Sequence, residues 1–188
     1  MGFYDNEMNV EQYIEMSKEY DNHYILKALQ KHLQAGATIL ELGMGPGKDM
    51  ESLNDIYHVT GSDKSKLFLE KYKSKHIEAE LIQLDAVTLD TTRRFDCIFS
   101  NKVLQHLTRG ELQESIEKQV KILNRNGIAL HTFWHGVGEE EFDGLLFTYY
   151  DDEELKTKFG SEFEIIEVER YKEEEENDSI IVVCRRRG

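Results

Sequence analysis

ATILELGMGPGKDMESL, residues 37–53, passes from an apolar run through three glycines into a helical pattern. The run ATILEL (37–42) reads as a strand, and a helix begins near Lys48. Gly43, Gly45 and Gly47 then form a loop at the carboxyl end of the first strand, where open α/β sheets bind ligands. A dinucleotide site requires G-x-G-x-x-G/A, its third small residue letting helix and strand pack closely. Here Lys48 stands at that position and the third glycine comes one residue early. The loop therefore suits a nucleoside ligand without a pyrophosphate better than it suits NAD.

Outward from this loop, short apolar runs alternate with helical patterns. Strands are expected at HVTGSD (58–63), AELIQLD (79–85), FDCIFSN (95–101) and GIALHTFW (127–134), and helices near Ser65 and Arg109. The last helix carries Leu112, Ile116, Val120 and Leu123 on one face, and Asn126-Gly127 is its expected stop. Such alternation implies right-handed crossovers and a mostly parallel sheet. The chain then closes with FEIIEVERY (163–171) and SIIVVC (179–184) around the acidic run Glu173–Glu176, which predicts an antiparallel hairpin with a solvated tip. Residues 9–34 read as a helical preface over the open end of the sheet. The segment 134–155 reads as an aromatic and acidic loop before a helix capped at Asp151 or Asp152.

Composition narrows the function classes. The 188 residues carry 23 Lys+Arg against 37 Asp+Glu, a net charge of −14, which disfavours partners held by phosphate and anionic membrane surfaces. No stretch approaches the ~18 apolar residues of a membrane span, and no leader pattern opens the sequence, so a cytoplasmic protein is expected. Cys97 and Cys184 sit in apolar runs and read as small buried hydrophobes, and no metal site is expected. One domain is expected over 1–188: a cover (1–36), a ligand-binding core (37–134), and an acceptor-side loop, helix and hairpin (135–188).

Two acids reinforce the glycine loop. Asp63 ends the second strand, about 20 residues on, where a carboxylate can accept ribose hydroxyls. Asp85 ends the third expected strand, positioned for an adenine edge. Each alone could merely cap a helix. Together with the loop, they make the sequence resemble the class I S-adenosylmethionine-dependent methyltransferases. ELGMGPG (41–47) is similar to the first family motif, VTGSD (59–63) to the ribose-binding acid, LIQLDAVTL (81–89) to the adenine-side motif and FDCIFSNKVLQHL (95–107) to the fourth. The resemblance covers roughly residues 37 to 186.

It implies a Rossmann-like α/β fold: a mostly parallel seven-stranded sheet of order 3-2-1-4-5-7-6, strand 7 antiparallel, with helices on both faces. It further implies S-adenosylmethionine as cofactor. Glu41, Gly43, Met44, Gly45 and Gly47 would shape the methionine side, Asp63 would hold the ribose, Lys64 or Ser62 would flank the adenine, and Asp85 with Ala86 would face its amino edge. Asn101 is expected near the methionine amino group or the methyl, and Tyr13, Met16 and Tyr20 over the cofactor.

Methyl transfer from sulfonium is an in-line displacement in which the protein aligns the groups and, where needed, removes a proton. His106 and His135, both expected at the carboxyl edge of the sheet, are the candidate bases, with His131 a lesser one, because imidazole titrates near neutral pH. SNKVLQHL lacks the Asn/Asp-Pro-Pro-aromatic signature of planar-amine methylation, so a small-molecule acceptor is favoured over nucleic acid. A regulator of the same fold without turnover, a protein or RNA methyltransferase, and a nicotinamide oxidoreductase are the competing readings. Oligomeric state is not encoded in these patterns.

Overall fold

The computed structural model describes residues 2–188. Helices α1 (Glu7–Met16) and α2 (His23–Gln30) precede β1 (Thr38–Leu42), α3 (Lys48–Asn54), β2 (His58–Asp63), α4 (Lys66–Lys75), β3 (Glu80–Gln83) and β4 (Phe95–Asn101). There follow α5 (Arg109–Ile122), β5 (Leu123–Trp134), a small pair β6 (Glu139–Phe142) and β7 (Leu145–Thr148), α6 (Asp152–Gly160), β8 (Phe163–Tyr171) and β9 (Ser179–Arg186). The main sheet has seven strands in the order β3-β2-β1-β4-β5-β9-β8. Strands β1 to β5 run parallel, while β9 is antiparallel to both β5 and β8. With β6–β7 set apart as its own two-stranded sheet, this is the expected order.

The apolar strands are continuous because both faces of the sheet are covered. Ile39 packs with Ile25, Leu29, Met50 and Leu53, whereas its neighbour Leu40 packs on the other side with Leu112, Ile116 and Phe159. The α5 side chains Leu112 and Ile116, one turn apart, are fully buried there. Each such residue stabilises the fold by roughly 1.5–3 kcal/mol. Cys97 and Cys184 are both buried and unpaired, in keeping with small core residues.

Four local expectations require correction. The helical preface is two helices, because the chain turns at residues 17–22, where Asp21 accepts from the His23 amide at 2.9 Å just ahead of α2. Helix α5 stops at Ile122, four residues before Asn126. Leu123 is already paired with Phe95 in the sheet, and Asn126, at φ 62, turns the chain inside β5 before Ile128 pairs with Cys97. Strand β3 ends at Gln83, so Asp85 lies two residues beyond it. The segment 134–155 is not an open loop but folds into β6–β7.

Candidate active site

The loop between β1 and α3 is shaped by its glycines. Gly45 has φ 50 and Gly47 φ 85, both in the left-handed region that side chains disfavour. A Cβ on Gly47 would lie 2.2 Å from the Tyr72 ring, so the close approach of α4 requires glycine there. The Gly45 amide donates to Asp63 at 2.9 Å, and the other oxygen of Asp63 accepts from the Ser65 amide at 2.8 Å. Asp63 therefore ties the loop to the end of β2. The buried Met44 completes the link by donating its amide to the Ser62 carbonyl at 2.8 Å.

Three carboxyls converge around this loop. Glu41 from β1, Asp49 from the first turn of α3, and Asp63 are all buried. Burial pushes the Glu41 carboxyl well above its ordinary range, and the neighbouring Asp49 and Asp63 charges push it further. Burial also raises Asp49 and Asp63, partly offset by their hydrogen bonds. Asn101, the last residue of β4, donates to Asp49 at 2.9 Å and to the Tyr20 hydroxyl at 2.7 Å, and Asn22 donates to Asp49 at 2.8 Å. Thr132 fixes the Asn101 amide by donating to its carbonyl oxygen at 2.6 Å. One oxygen of Glu41 has no hydrogen-bond partner. Among the described residues, no Lys or Arg pairs with any of these three acids.

On the far side of Asp63, Lys64 meets Asp85 at 2.7 Å. Burial alone would raise Asp85, but the Lys64 ammonium and the Val87 amide hold it below the usual carboxylate range. The Ala86 carbonyl accepts from Ser115 at 2.6 Å, which anchors this stretch to α5. Above the loop, Tyr13 approaches Gly45 and forms an aromatic cluster with Tyr4 and Phe68. Burial and the neighbouring Asp49 raise the Tyr13 phenol to about 12. Met16 is 74% exposed, on a different part of α1.

At the ends of β4 and β5, Lys102 adopts a left-handed conformation (φ 56) supported by its amide bond to Thr132. Its ammonium lies 3.4 Å from the centre of the Trp134 ring, donates to Ser179 at 2.6 Å and pairs with Glu173 at 3.2 Å. Burial pulls its pKa down to about 8 against the opposing pull of Glu173. Tyr171 donates to the same Glu173 carboxylate at 3.1 Å.

The three histidines part company. His131 is buried between Ser100 and Gln119, and burial lowers it to about 3, so it is a core residue. His106 donates Nδ1–H to the Leu146 carbonyl at 2.7 Å and meets Phe147 edge-on, which fastens β7 to the rest of the protein. Burial also lowers its pKa. His135 instead lines a cleft of about 340 Å³ with Trp134, Phe147, Tyr149 and the β8–β9 turn. A larger hollow, about 790 Å³, lies at the opposite edge beside Thr38, His58 and Glu80, the first residues of β1, β2 and β3, and contains none of the candidate site residues.

Asp49, Lys102 and Glu173 join the site without having been singled out from sequence. An acid in the first turn of a helix signals capping, and the Glu173 run signals a loop tip. Only their contacts across distant strands show another use.

Residues 39–127 match a family model described as a methyltransferase domain. This stretch is similar to that domain. It runs from β1 into β5 and includes the glycine loop, Asp63, Asp85 and Asn101. No curated protein matches the sequence. Among solved structures, the N-methyltransferase NodS from Bradyrhizobium japonicum, in complex with S-adenosylhomocysteine, is similar at 14% identity and TM-score 0.78, over 96% of this chain and 98% of that one. The 1,6-didemethyltoxoflavin-N1-methyltransferase of Burkholderia thailandensis, with bound 1,6-didemethyltoxoflavin and S-adenosylhomocysteine, is similar at 17% identity and TM-score 0.81, over 95% of this chain and 83% of that one. A methyltransferase from Clostridium acetobutylicum gives 14%, 0.79, 97% and 100%. At these identities the likeness establishes the fold.

Proposed function

We propose that the protein is an S-adenosylmethionine-dependent methyltransferase acting on a small-molecule acceptor. The observation that carries this reading is the trio of buried carboxyls Glu41, Asp49 and Asp63, unmatched by any basic side chain among the described residues. Like charges at close quarters raise one another's pKa and destabilise a site until a cation joins them. S-adenosylmethionine bears two cationic groups, a sulfonium and an α-ammonium, and the unpartnered Glu41 oxygen offers an acceptor for a donor from the ligand. The donor set therefore fits this cofactor. When bound, it supplies an electrophilic methyl on sulfur and leaves as the neutral thioether.

In this reading the residues divide the work. Glu41, Asp49 and Asn101 hold the methionine end, with Gly43, Met44, Gly45 and Gly47 giving the backbone close approach. Asp63 accepts from the ribose, while Lys64, Asp85 and Ala86 frame the adenine. Tyr13 and Tyr20 cover the cofactor, and Met16 takes part only if α1 moves. An acceptor placed before the methyl would need a nearby group to take its proton. His135, which faces the cleft, is the better placed proton acceptor; His106 has a positioning task through β7. Residues 1–36 then act as cover, 37–134 as the cofactor core and 135–188 as the acceptor side of one domain. The same reading places the work in the cytoplasm, in keeping with two buried free thiols; among the described residues, no helix is long and apolar enough to cross a membrane.

Isothermal titration with S-adenosylhomocysteine tests the reading. Saturable one-site binding supports it. Absence of heat with both this product and S-adenosylmethionine, at protein concentrations where the fold is intact, defeats it.

A further inference from the structure

We infer that the cleft between β6–β7 and the β8–β9 turn is the acceptor site, and that it selects an organic cation carrying an aromatic or similarly flat apolar group. This rests on the methyltransferase reading and names the substrate class it left open. The cleft is walled by Trp134, Phe142, Phe147 and Tyr149, and its volume of about 340 Å³ falls in the range of small-molecule sites. Its charged lining is acidic throughout: Glu140, Glu174, Glu175 and Asp178 contribute four carboxylates, with no Lys or Arg.

The carboxylates do not have equal freedom. Asp178 is consumed in building the turn, accepting from the amides of Glu173, Glu174 and Glu175 at 2.8–2.9 Å, which lowers its pKa to about 2. Glu140 is held by the Tyr149 hydroxyl. Glu174 and Glu175 form no ion pair among the described residues, and their side chains are exposed beside the aromatic wall. Aromatic faces together with uncompensated carboxylates attract a cation and repel an anion.

Trp134 joins this cleft to the chemistry. It ends β5, whose Thr132 pairs with Asn101 in the sheet and hydrogen-bonds its side chain. Lys102 covers part of the indole while being neutralised by Glu173, so the ring is fixed in place and the ammonium adds no free charge to the site. A cation bound here would stand next to His135 and one strand away from the Asn101 end of the cofactor site.

Trp134 is the only tryptophan in the chain, so its fluorescence reports on this cleft alone. The probes are benzyltrimethylammonium, benzyl alcohol and benzoate, which share a ring and differ in charge. The expected result is saturable fluorescence change with the cation, about tenfold weaker response to benzyl alcohol and none to benzoate. The double variant Glu174→Gln/Glu175→Gln should weaken the cation roughly fivefold while its thermal melt and its affinity for S-adenosylhomocysteine stay unchanged. Equal or stronger binding of benzoate, or no response to the cation by a protein that still binds S-adenosylhomocysteine, overturns the inference and leaves the methyltransferase reading standing. Loss of S-adenosylhomocysteine binding in the unmodified protein would instead strike at that reading.

Discussion

The two halves of the site manage negative charge in opposite ways. Around the glycine loop, Glu41, Asp49 and Asp63 are buried, raised in pKa and without basic partners. Along the acceptor cleft the acids are exposed, and the neighbouring cations Lys102 and Arg109 are already neutralised by Glu173, Glu139 and Glu154. The first half stores electrostatic strain that a bound cation relieves. The second half presents a field without strain. Affinity should therefore reside chiefly in the first, and selectivity in the second.

The largest effect should come from breaking the loop itself. Asp63→Ala removes the acceptor for Gly45 and for ribose, so S-adenosylhomocysteine affinity should fall by about 100-fold or more in calorimetry, with a stability loss of about 1–3 kcal/mol by denaturant titration. Retained binding would show that the loop is not the cofactor site. Next in size, Glu41→Gln removes a buried charge: cofactor affinity should fall roughly tenfold, while the ligand-free protein melts no lower than the parent at pH 8. A strongly lowered melting temperature would mean that Glu41 supports the fold rather than the ligand.

The pH dependence sharpens the contrast. The three acids have folded-state pKa values above their unfolded ones, so their contribution to stability is present at low pH and is lost as pH rises through the raised values. Cation binding favours the ionised forms. Lowering the pH from 8 toward the raised values should thus weaken cofactor binding while this part of the ligand-free stability improves. Parallel melts and titrations across that window check the two opposite slopes, and Glu41→Gln should flatten both.

The smallest effect lies in the acceptor half. Arg109 reaches Glu139, Glu154 and the Tyr149 carbonyl, so Arg109→Ala should loosen β6–β7. The stability change should stay near 1 kcal/mol because the pairs are partly exposed. Faster amide exchange confined to residues 139–148, with cofactor affinity intact, is the expected signature.

Legibility in the sequence follows the same division. The glycine loop and Asp63 could be read because strand, tight loop and helix fix their spacing locally. The sheet order followed from alternation and the closing hairpin. Asp85 was legible as a residue, though β3 ends before it. Asp49 was missed because its partners Asn22 and Asn101 are 27 and 52 residues away. The β6–β7 pair was missed because Glu139–Phe142 is exposed throughout and shows no buried alternation; His106 and Arg109 hold it from outside, and Thr148 of β7 donates to the Leu107 carbonyl.

The Lys102 clamp carries a consequence in time. Its backbone is set by Thr132, but its ammonium is closed in by Glu173 and Ser179 from the β8–β9 hairpin, more than 70 residues later. Pairings among β1, β2 and β4 close shorter loops than the one joining Lys102 to Ser179, and loop closure is entropically cheaper for shorter spans. Cofactor recognition can thus be assembled in folding before the acceptor wall exists. The hairpin that closes the chain is the one that gives a binding fold its substrate side.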